Sequence, residues 1–481
     1  MELRGVATTG IYCRADCTGR PKPENTRPVR SAVAAMAAGF RPCLVCRPDR
    51  LPDIGLDQPA AEIAHAVRLI AEGYLDTAST DELAKRIGYS TRHLVRLFEK
   101  HVGASPDFVA RARRGHLARR LLDESDLSIT HVAFAAGFAS IRQMNRVMRE
   151  LFGFTPTELR AKRSRRDTLD PLDGGLRLRI PYRGTVAGKR LISYLAGRAI
   201  PGVEFVEQEC YRRTINTCGH PGVVEVRDPE DGRHLCVTMH LATFGSIIDE
   251  VERVRRLFGL ALDTTDAERV LGRDPLLGPL VRREPGLRMP GAWDRFETAV
   301  RIIIGQQVSV AAASTIVGRL VERFGERVNV PLPGALGFLF PSAAALAGGD
   351  LRGLGVPGAR AETIRRFAEA VASGVVDLSR VAPCEEIVAE LMGIPGIGSW
   401  TAQLIAGRVV GDLDAFPSSD LGLRRAAAGL LGDDQPVTAS ALDRLAEAWR
   451  PHRATAAAYL WMGKLAERTR GETHRSRARK R

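Results

Sequence analysis

Nowhere in the 481 residues does an uncharged apolar run approach the roughly 18–20 residues of a membrane-crossing helix, so a spanning segment is excluded as an organising element. The N-terminus lacks the apolar stretch of a signal peptide, since Arg4, Cys13 and Arg14 fall within it; a cytoplasmic location and no membrane partner are expected. Aromatic residues are scarce at 6%, and eight cysteines are too few in so long a chain for a disulfide-stapled scaffold. No cysteine follows Cys384. At 44% hydrophobic and 26% charged, the composition is that of ordinary soluble domains and excludes wholesale disorder. At about 100–200 residues per domain, the length leaves room for about three or four of them.

Basic residues outnumber acidic ones by 70 to 56, and the excess is unevenly placed. Residues 1–166 hold 28 basic and 18 acidic side chains, +10; residues 464–481 hold 8 and 2, +6; the body between them is −2. A basic surface attracts the phosphate backbone through counterion release. The tail from Arg475 to Arg481 is equally open to reading as a solvated charge run.

Half of the cysteines, Cys13, Cys17, Cys43 and Cys46, fall within 34 residues as C-x3-C-x25-C-x2-C. Two close thiol pairs separated by one excursion suit a tetrahedral Zn2+. A purely architectural zinc knuckle is the plain alternative, because four thiolates leave no open position for water. The surrounding text, Thr8-Thr9-Gly10-Ile11-Tyr12-Cys13-Arg14-Ala15-Asp16-Cys17 and Ala38-Gly39-Phe40-Arg41-Pro42-Cys43, closely resembles the N-terminal domain of the Ada family of DNA-repair regulators. The resemblance implies one Zn2+ held by the four cysteines, with Cys13 taking a methyl group irreversibly from a methylphosphotriester. It also implies a DNA-contacting arginine at Arg20. Loss of one thiolate charge on methylation would make the site more attractive to phosphate. Family members carry a longer lead-in with a strand beside the zinc site, whereas only Met1 to Val6 precede Ala7 here, so either the start is placed too late or this zinc domain is incomplete.

A helical pattern follows a Pro- and Asp-bearing connector at 51–59. An amphipathic stretch, Asp81 to Ser90, closes on Gly88 and is followed by Thr91-Arg92-His93-Leu94-Val95-Arg96. The arrangement returns at Ile129 to Ser140 with Gly137, followed by Arg142-Gln143-Met144-Asn145-Arg146 and Phe152-Gly153-Phe154-Thr155-Pro156. Twin units of this kind resemble an AraC-type DNA-binding domain, which in Ada proteins follows the zinc domain. The candidates for reaching bases or phosphates are Arg92, Arg96, Arg142, Gln143 and Arg146.

Lys162 to Asp167 is charged and free of apolar residues, and reads as a linker. Alternating segments then begin at Leu176, Gly222 and Leu235, predicting a small antiparallel sheet. Cys210, Cys218 and Cys236 have no ligand spacing and read as buried thiols, and His220 and His234 as surface or turn residues. The second alkyltransferase domain of full Ada proteins carries a Pro-Cys-His-Arg nucleophile; no such tetrapeptide occurs, so O6-methylguanine transfer is not expected.

From about Pro290 the chain is helical again. Leu391 to Ala402 contains Gly393-Ile394-Pro395-Gly396-Ile397-Gly398, a turn between two helices whose backbone amides can bind phosphate. Asp420 stands 22 residues beyond Gly398. Hairpin, aspartate, the preceding sheet and the Gly305-Gln306-Gln307-Val308-Ser309 run resemble the AlkA branch of the helix-hairpin-helix glycosylases, over about residues 171–468. The resemblance implies extrusion of an alkylated, cationic purine and hydrolysis of its N-glycosidic bond without a cofactor, with Asp420 facing the oxocarbenium-like sugar. A solvated or helix-capping aspartate is the plain alternative. By position, Trp400 and Trp461 supply aromatic walls, although either suits an ordinary core, and Gln307 fills the gap left by the base. Trp400 replaces the lysine of bifunctional relatives, so no lyase activity is expected. The iron–sulfur cluster of other branches is not expected either.

The expected architecture is mostly α and multidomain: an Ada-like zinc domain (1–52), a twin helix-turn-helix domain (60–162), a small antiparallel α+β domain (171–285), an all-α helix-hairpin-helix glycosylase domain (286–468) and a basic tail (469–481). Expected partners are double-stranded DNA, both alkylated and promoter, and RNA polymerase. Two other readings stay open: a regulator whose C-terminal half is an inactive relic, and a glycosylase whose N-terminal part only tethers it to DNA.

Overall fold

A computed structural model describes residues 2–19, 21–50, 61–164, 167–169, 174–262, 264–328, 335–379 and 384–463. Arg20, the connector at 51–59 and the basic tail lie outside the described residues. The chain divides into two compact units, Met1–Pro181 with Asn216–Gly222 and Cys236–Glu252, and Tyr182–Ile215 with Val223–Leu235 and Arg253–Arg481. The architecture is the expected multidomain one, mostly helical, with a four-stranded and a five-stranded sheet.

The first unit opens with β1 (Leu3–Val6), β2 (Ile11–Arg14), β3 (Thr26–Val29) and β4 (Arg41–Pro42), in the order β3-β1-β2-β4. The short lead-in before the cysteines forms a strand of its own. β1 pairs antiparallel with β2, setting Arg4 opposite Cys13, and with β3 on its other edge. Leu3 and Val6 are buried, so even this short segment has an apolar reason to join the sheet.

The twin units are α1 (Thr80–Arg86) with α2 (Thr91–His101), and α4 (Ile129–Ala135) with α5 (Ile141–Phe152), joined by α3 (Pro106–Glu124). Each begins on a serine whose hydroxyl accepts a backbone N–H of the first turn: Ser79, Ser90, Ser105, Ser128 and Ser140. At α1 the cap is reciprocal, because Glu82 accepts from the Ser79 N–H. Gly88 and Gly137, at φ +79° and +80°, turn the chain between the helices of each pair. Leu94, Phe98, Met144, Val147 and Met148 fill the apolar faces of α2 and α5.

A buried ionic cluster fastens the loop after Cys46 to α3. Arg47, left-handed at φ +46°, places its guanidinium 2.8 Å from Asp49 and 2.6 Å from Asp123, and Arg119 approaches Asp123 at 3.1 Å. Burial alone would raise the Asp49 carboxyl, but the Arg47 guanidinium outweighs it and holds that carboxyl below the usual range.

The antiparallel sheet has the order β5-β9-β8-β7-β6, from β5 (Leu176–Pro181), β6 (Glu204–Glu207), β7 (Cys210–Thr217), β8 (His220–Arg227) and β9 (His234–His240). Leu176, Leu178 and Ile180 bury one face of β5, as the alternation predicts. Cys210 is buried as expected, whereas Cys218 is exposed, placed at φ +53° just past the end of β7. Cys236 is half-buried.

In the second unit, α6 (Gly188–Ala196) precedes β6, and α7 (Arg295–Ile304) begins on Asp294, whose side chain accepts from the Glu297 N–H. Arg213 of β7 lies between Glu204 at 3.2 Å and Glu297 of α7 at 2.7 Å, and Arg301 reaches the same two carboxylates at 3.3 and 3.4 Å. This two-plus-two arrangement ties sheet to helix with the charges balanced, and removing one member would cost about 3–5 kcal/mol. Ile302, Ile303 and Ile304 carry α7 into the helical core, alongside α8 (Val310–Phe324). The hairpin follows as α9 (Cys384–Met392) and α10 (Ser399–Ile405), the latter running into a π turn at Ala406–Val410; α11 (Leu421–Leu431) comes next.

Candidate functional site

Asp420 is the N-cap of α11, and its Oδ1 accepts the Leu423 N–H at 2.9 Å. The capping alternative is therefore true, and it is not the whole account. The Trp461 Nε1–H donates to the same Oδ1 at 2.9 Å, while the Trp400 Nε1–H donates to Oδ2 at 2.9 Å. One half-buried carboxylate is held by two indoles and a backbone amide. Gly422 makes room, since a Cβ there would stand 2.9 Å from Asp420 Oδ1 and 3.4 Å from Trp461 Nε1. Both tryptophans are half-buried and rest on the helical core, so the core and site readings of these residues also coincide.

Two further candidate elements are the hairpin turn and the Gln307 loop. In the hairpin, Gly396 has φ +94°, and a Cβ on it would fall 1.9 Å from Thr363 Oγ1, so glycine is obligatory there. Gly396 and Gly398 are exposed, and among the described residues no group accepts from their N–H. The Ile397 side chain is buried at 4% exposure and its N–H donates to the Ile394 carbonyl at 3.0 Å, so the open amides of the turn are those of Gly396 and Gly398. Gln307 is exposed at φ +56°, a backbone state a non-glycine residue rarely adopts. It sits in a short loop between α7 and α8 that projects its side chain outward.

Sequence reasoning missed the charged surroundings. Tyr194 of α6 is buried, with the Arg198 guanidinium 3.7 Å from its ring centroid and that of Arg408, in the π turn, at 5.9 Å. Burial alone would raise the Tyr194 phenol; Arg198 and then Arg408 bring it below its usual value, and the Asp420 charge acts in the opposite direction. The only sequence signal was an apolar helical run around Leu191 and Leu195.

The four candidate metal ligands converge. The Sγ atoms of Cys13, Cys17, Cys43 and Cys46 all lie within 4.8 Å of one another, with Cys17 and Cys43 at 4.0 Å. A tetrahedral ion with Zn–S bonds of about 2.3 Å sets sulfurs about 3.8 Å apart, so the donor set fits one Zn2+. Burial, and then the neighbouring Cys43 thiol, drive Cys13 upward, and burial pushes Cys46 up to about 12. The Arg14 N–H donates to Cys46 Sγ and the Gly19 N–H to Cys17 Sγ, each at 3.4 Å.

On the twin helix-turn-helix units, Arg92, Arg96, Arg142 and Arg146 are exposed. Ile141, Arg142, Asn145, Arg146 and Arg149 line one concave strip of α5. Arg96 is partly engaged, 3.1 Å from His93 Nδ1. Gln143 differs from expectation: its Oε1 accepts the Ala139 N–H at 2.9 Å, so its carbonyl is committed to the start of α5 and only its amide hydrogens remain for a base.

Four family models match successive parts of the chain: the metal binding domain of Ada (residues 3–49), a helix-turn-helix domain (83–162), the AlkA N-terminal domain (177–294) and the HhH-GPD superfamily base excision DNA repair protein (300–451). A protein of Mycobacterium tuberculosis named "Probable bifunctional transcriptional activator/DNA repair enzyme AlkA" is 40% identical over 95% of this chain and 91% of that protein. The chain belongs to this bifunctional AlkA family. Within it, the C-terminal part is 32% identical to DNA-3-methyladenine glycosylase 2 of Escherichia coli, over 56% of this chain and 92% of that one. The structure is similar to a 3-methyladenine DNA-glycosylase from Archaeoglobus fulgidus, with a TM-score of 0.51 and 25% identity over 60% of this chain and 97% of that one. The family thus joins a base-excision domain, a DNA-binding regulator and a one-zinc Ada domain on one chain. No helix among the described residues is long and apolar enough to cross a membrane.

Proposed function

We propose that the chain excises alkylated purines of the 3-methyladenine class from DNA and couples that repair to regulation through a methylphosphotriester-sensing N-terminal part. The observation that carries the glycosylase reading is the Asp420 carboxylate fixed by Trp400, Trp461 and the Leu423 amide. In this reading the open hairpin amides of Gly396 and Gly398 grip the backbone, with Ile397, whose own N–H is given to Ile394, holding the turn between them; Gln307 enters the gap and the indoles border the extruded base. Asp420 stabilises the positive charge that grows on the sugar as the C–N bond breaks, the electron pair leaving with the base, and water then adds to the sugar. A cationic purine is already a good leaving group, which suits a site with one carboxylate and no lysine.

At the other end, the Cys13 sulfur attacks the methyl carbon of the phosphotriester. An S–C bond forms, the C–O bond breaks, and the phosphate oxygen leaves with the electron pair. Zinc, when bound, supplies the charge that keeps the cysteines deprotonated. The twin units then read a promoter with Arg92, Arg96, Arg142, Gln143 and Arg146, assisted by Arg20, and RNA polymerase is the partner an activator requires. The working divisions are 1–52, 60–162, 171–285 and 286–468, with a basic tail at 469–481, in the cytoplasm.

Incubation with DNA carrying radiolabelled methyl groups tests both halves. Label should leave as free base and also stay on protein, the first lost in Asp420→Asn and the second in Cys13→Ser. Absence of free base from the unaltered protein would reduce the C-terminal half to a DNA-binding relic.

A further inference from the structure

The loop bearing Gln307 would be of little use if it moved independently of the hairpin that holds the strand. Gln306, its neighbour, bridges the two. The Gln306 Nε2 donates to Thr401 Oγ1 at 2.6 Å and to the Gly396 carbonyl oxygen at 3.3 Å. A carbonyl oxygen only accepts, so the amide orientation is fixed by its partners. Both partners are rigid. Thr401 is 2% exposed in the first turn of α10, and Gly396 is the position where Thr363 tolerates no side chain. The loop itself is short, running from the end of α7 at Gly305 to the Ser309 cap of α8, and Gln307 holds its left-handed backbone within it. Trp400, adjacent to Thr401, donates to Asp420. A single amide therefore links the candidate plug, the strand-gripping turn and, one residue further, the carboxylate.

We propose that Gln306 is a positioning residue: its side chain keeps the Gln307 loop in register with the hairpin, so that the gap left by an extruded base is filled while the backbone is held. The inference rests on the glycosylase reading above. It assigns Gln306 no contact with the reacting atoms. Its contribution is greatest when a stacked, paired base must be displaced, and small when the base is already unpaired, because extrusion then costs little.

The test compares single-turnover release of 7-methylguanine at one defined position, paired with cytosine in one duplex and opposite an abasic site in the other. Gln306→Ala removes both donated bonds and should slow the paired substrate about tenfold more than the unpaired one. Gln306→Met keeps the length while losing both donations, and should show the same split if Gln306→Ala lowers Tm. Thr401→Val, which removes the stronger acceptor, should reproduce it in part. Equal slowing on both substrates, or none on either, would overturn the positioning role while leaving the glycosylase reading intact. No base release from either duplex by the unaltered protein would overturn the glycosylase reading and this inference with it.

Discussion

Asp420→Asn separates the two duties of one side chain. Asparagine is as good an N-cap as aspartate, so its carbonyl oxygen can keep accepting the Leu423 N–H and α11 should stay capped. The lost charge is felt elsewhere. The Trp400 Nε1–H, which now donates to Oδ2, would face an amide N–H2 and lose its acceptor, at a cost of about 1–3 kcal/mol in stability. For catalysis, a full negative charge about 4 Å from a cationic sugar at an effective dielectric of about 20 contributes about 4 kcal/mol. That corresponds to a loss of about a thousandfold in the chemical step. The assay is single-turnover release of free base from alkylated duplex, with Tm and DNA affinity followed in parallel. An Asn variant that keeps more than about a tenth of the rate would refute the electrostatic argument, because substitution of a dipole for a charge cannot preserve so much.

Gly396→Ala should cost at least about 1–3 kcal/mol from the left-handed backbone alone, with the Thr363 clash added, and it should weaken DNA binding as well as lower Tm. Unchanged affinity would show that the hairpin turn does not hold the strand. Arg142→Ala and Arg146→Ala should each reduce the slope of log K against log salt by about 1 if they meet phosphates; an unchanged slope with altered sequence preference would move them to bases. The depressed Asp49 carboxyl gives a pH signature. Its folded value lies below the unfolded one, so the stability it adds is complete above roughly pH 5 and fades as pH falls through about 4 and below. The Tm gap between the unaltered protein and Asp49→Asn should shrink over that range, and a gap independent of pH would contradict it.

What could be read in advance was whatever the chain encodes locally. Cysteines spaced for a metal, glycines that turn each helix pair and a hairpin followed by an aspartate are all features of short segments, and the structure brings the four thiols together as their spacing implied. Contacts made across long separations left no such trace. The indoles reach Asp420 from 20 and 41 residues away, Gln306 reaches Thr401 across 95, and Arg408 meets Tyr194 across more than two hundred. The engagement of the Gln143 carbonyl went unforeseen for a different reason. Its type suggested base reading, whereas its place at the third position of a serine-capped helix makes its carbonyl a natural acceptor for the start of that helix. The strand at Leu3–Val6 was not foreseen in so short a lead-in, yet four residues suffice for a strand when partners lie on both sides.

The partners of Arg47 come from two places in the chain, Asp49 just beyond it and Asp123 at the far end of α3. Covalent continuity between them is therefore redundant with a buried electrostatic clasp. Arg47→Ala or Asp123→Ala should lower Tm without parting the two, because Arg30 also donates to the Lys100 carbonyl at 2.7 Å and His116 Nδ1 lies 3.2 Å from the Asp49 carbonyl oxygen.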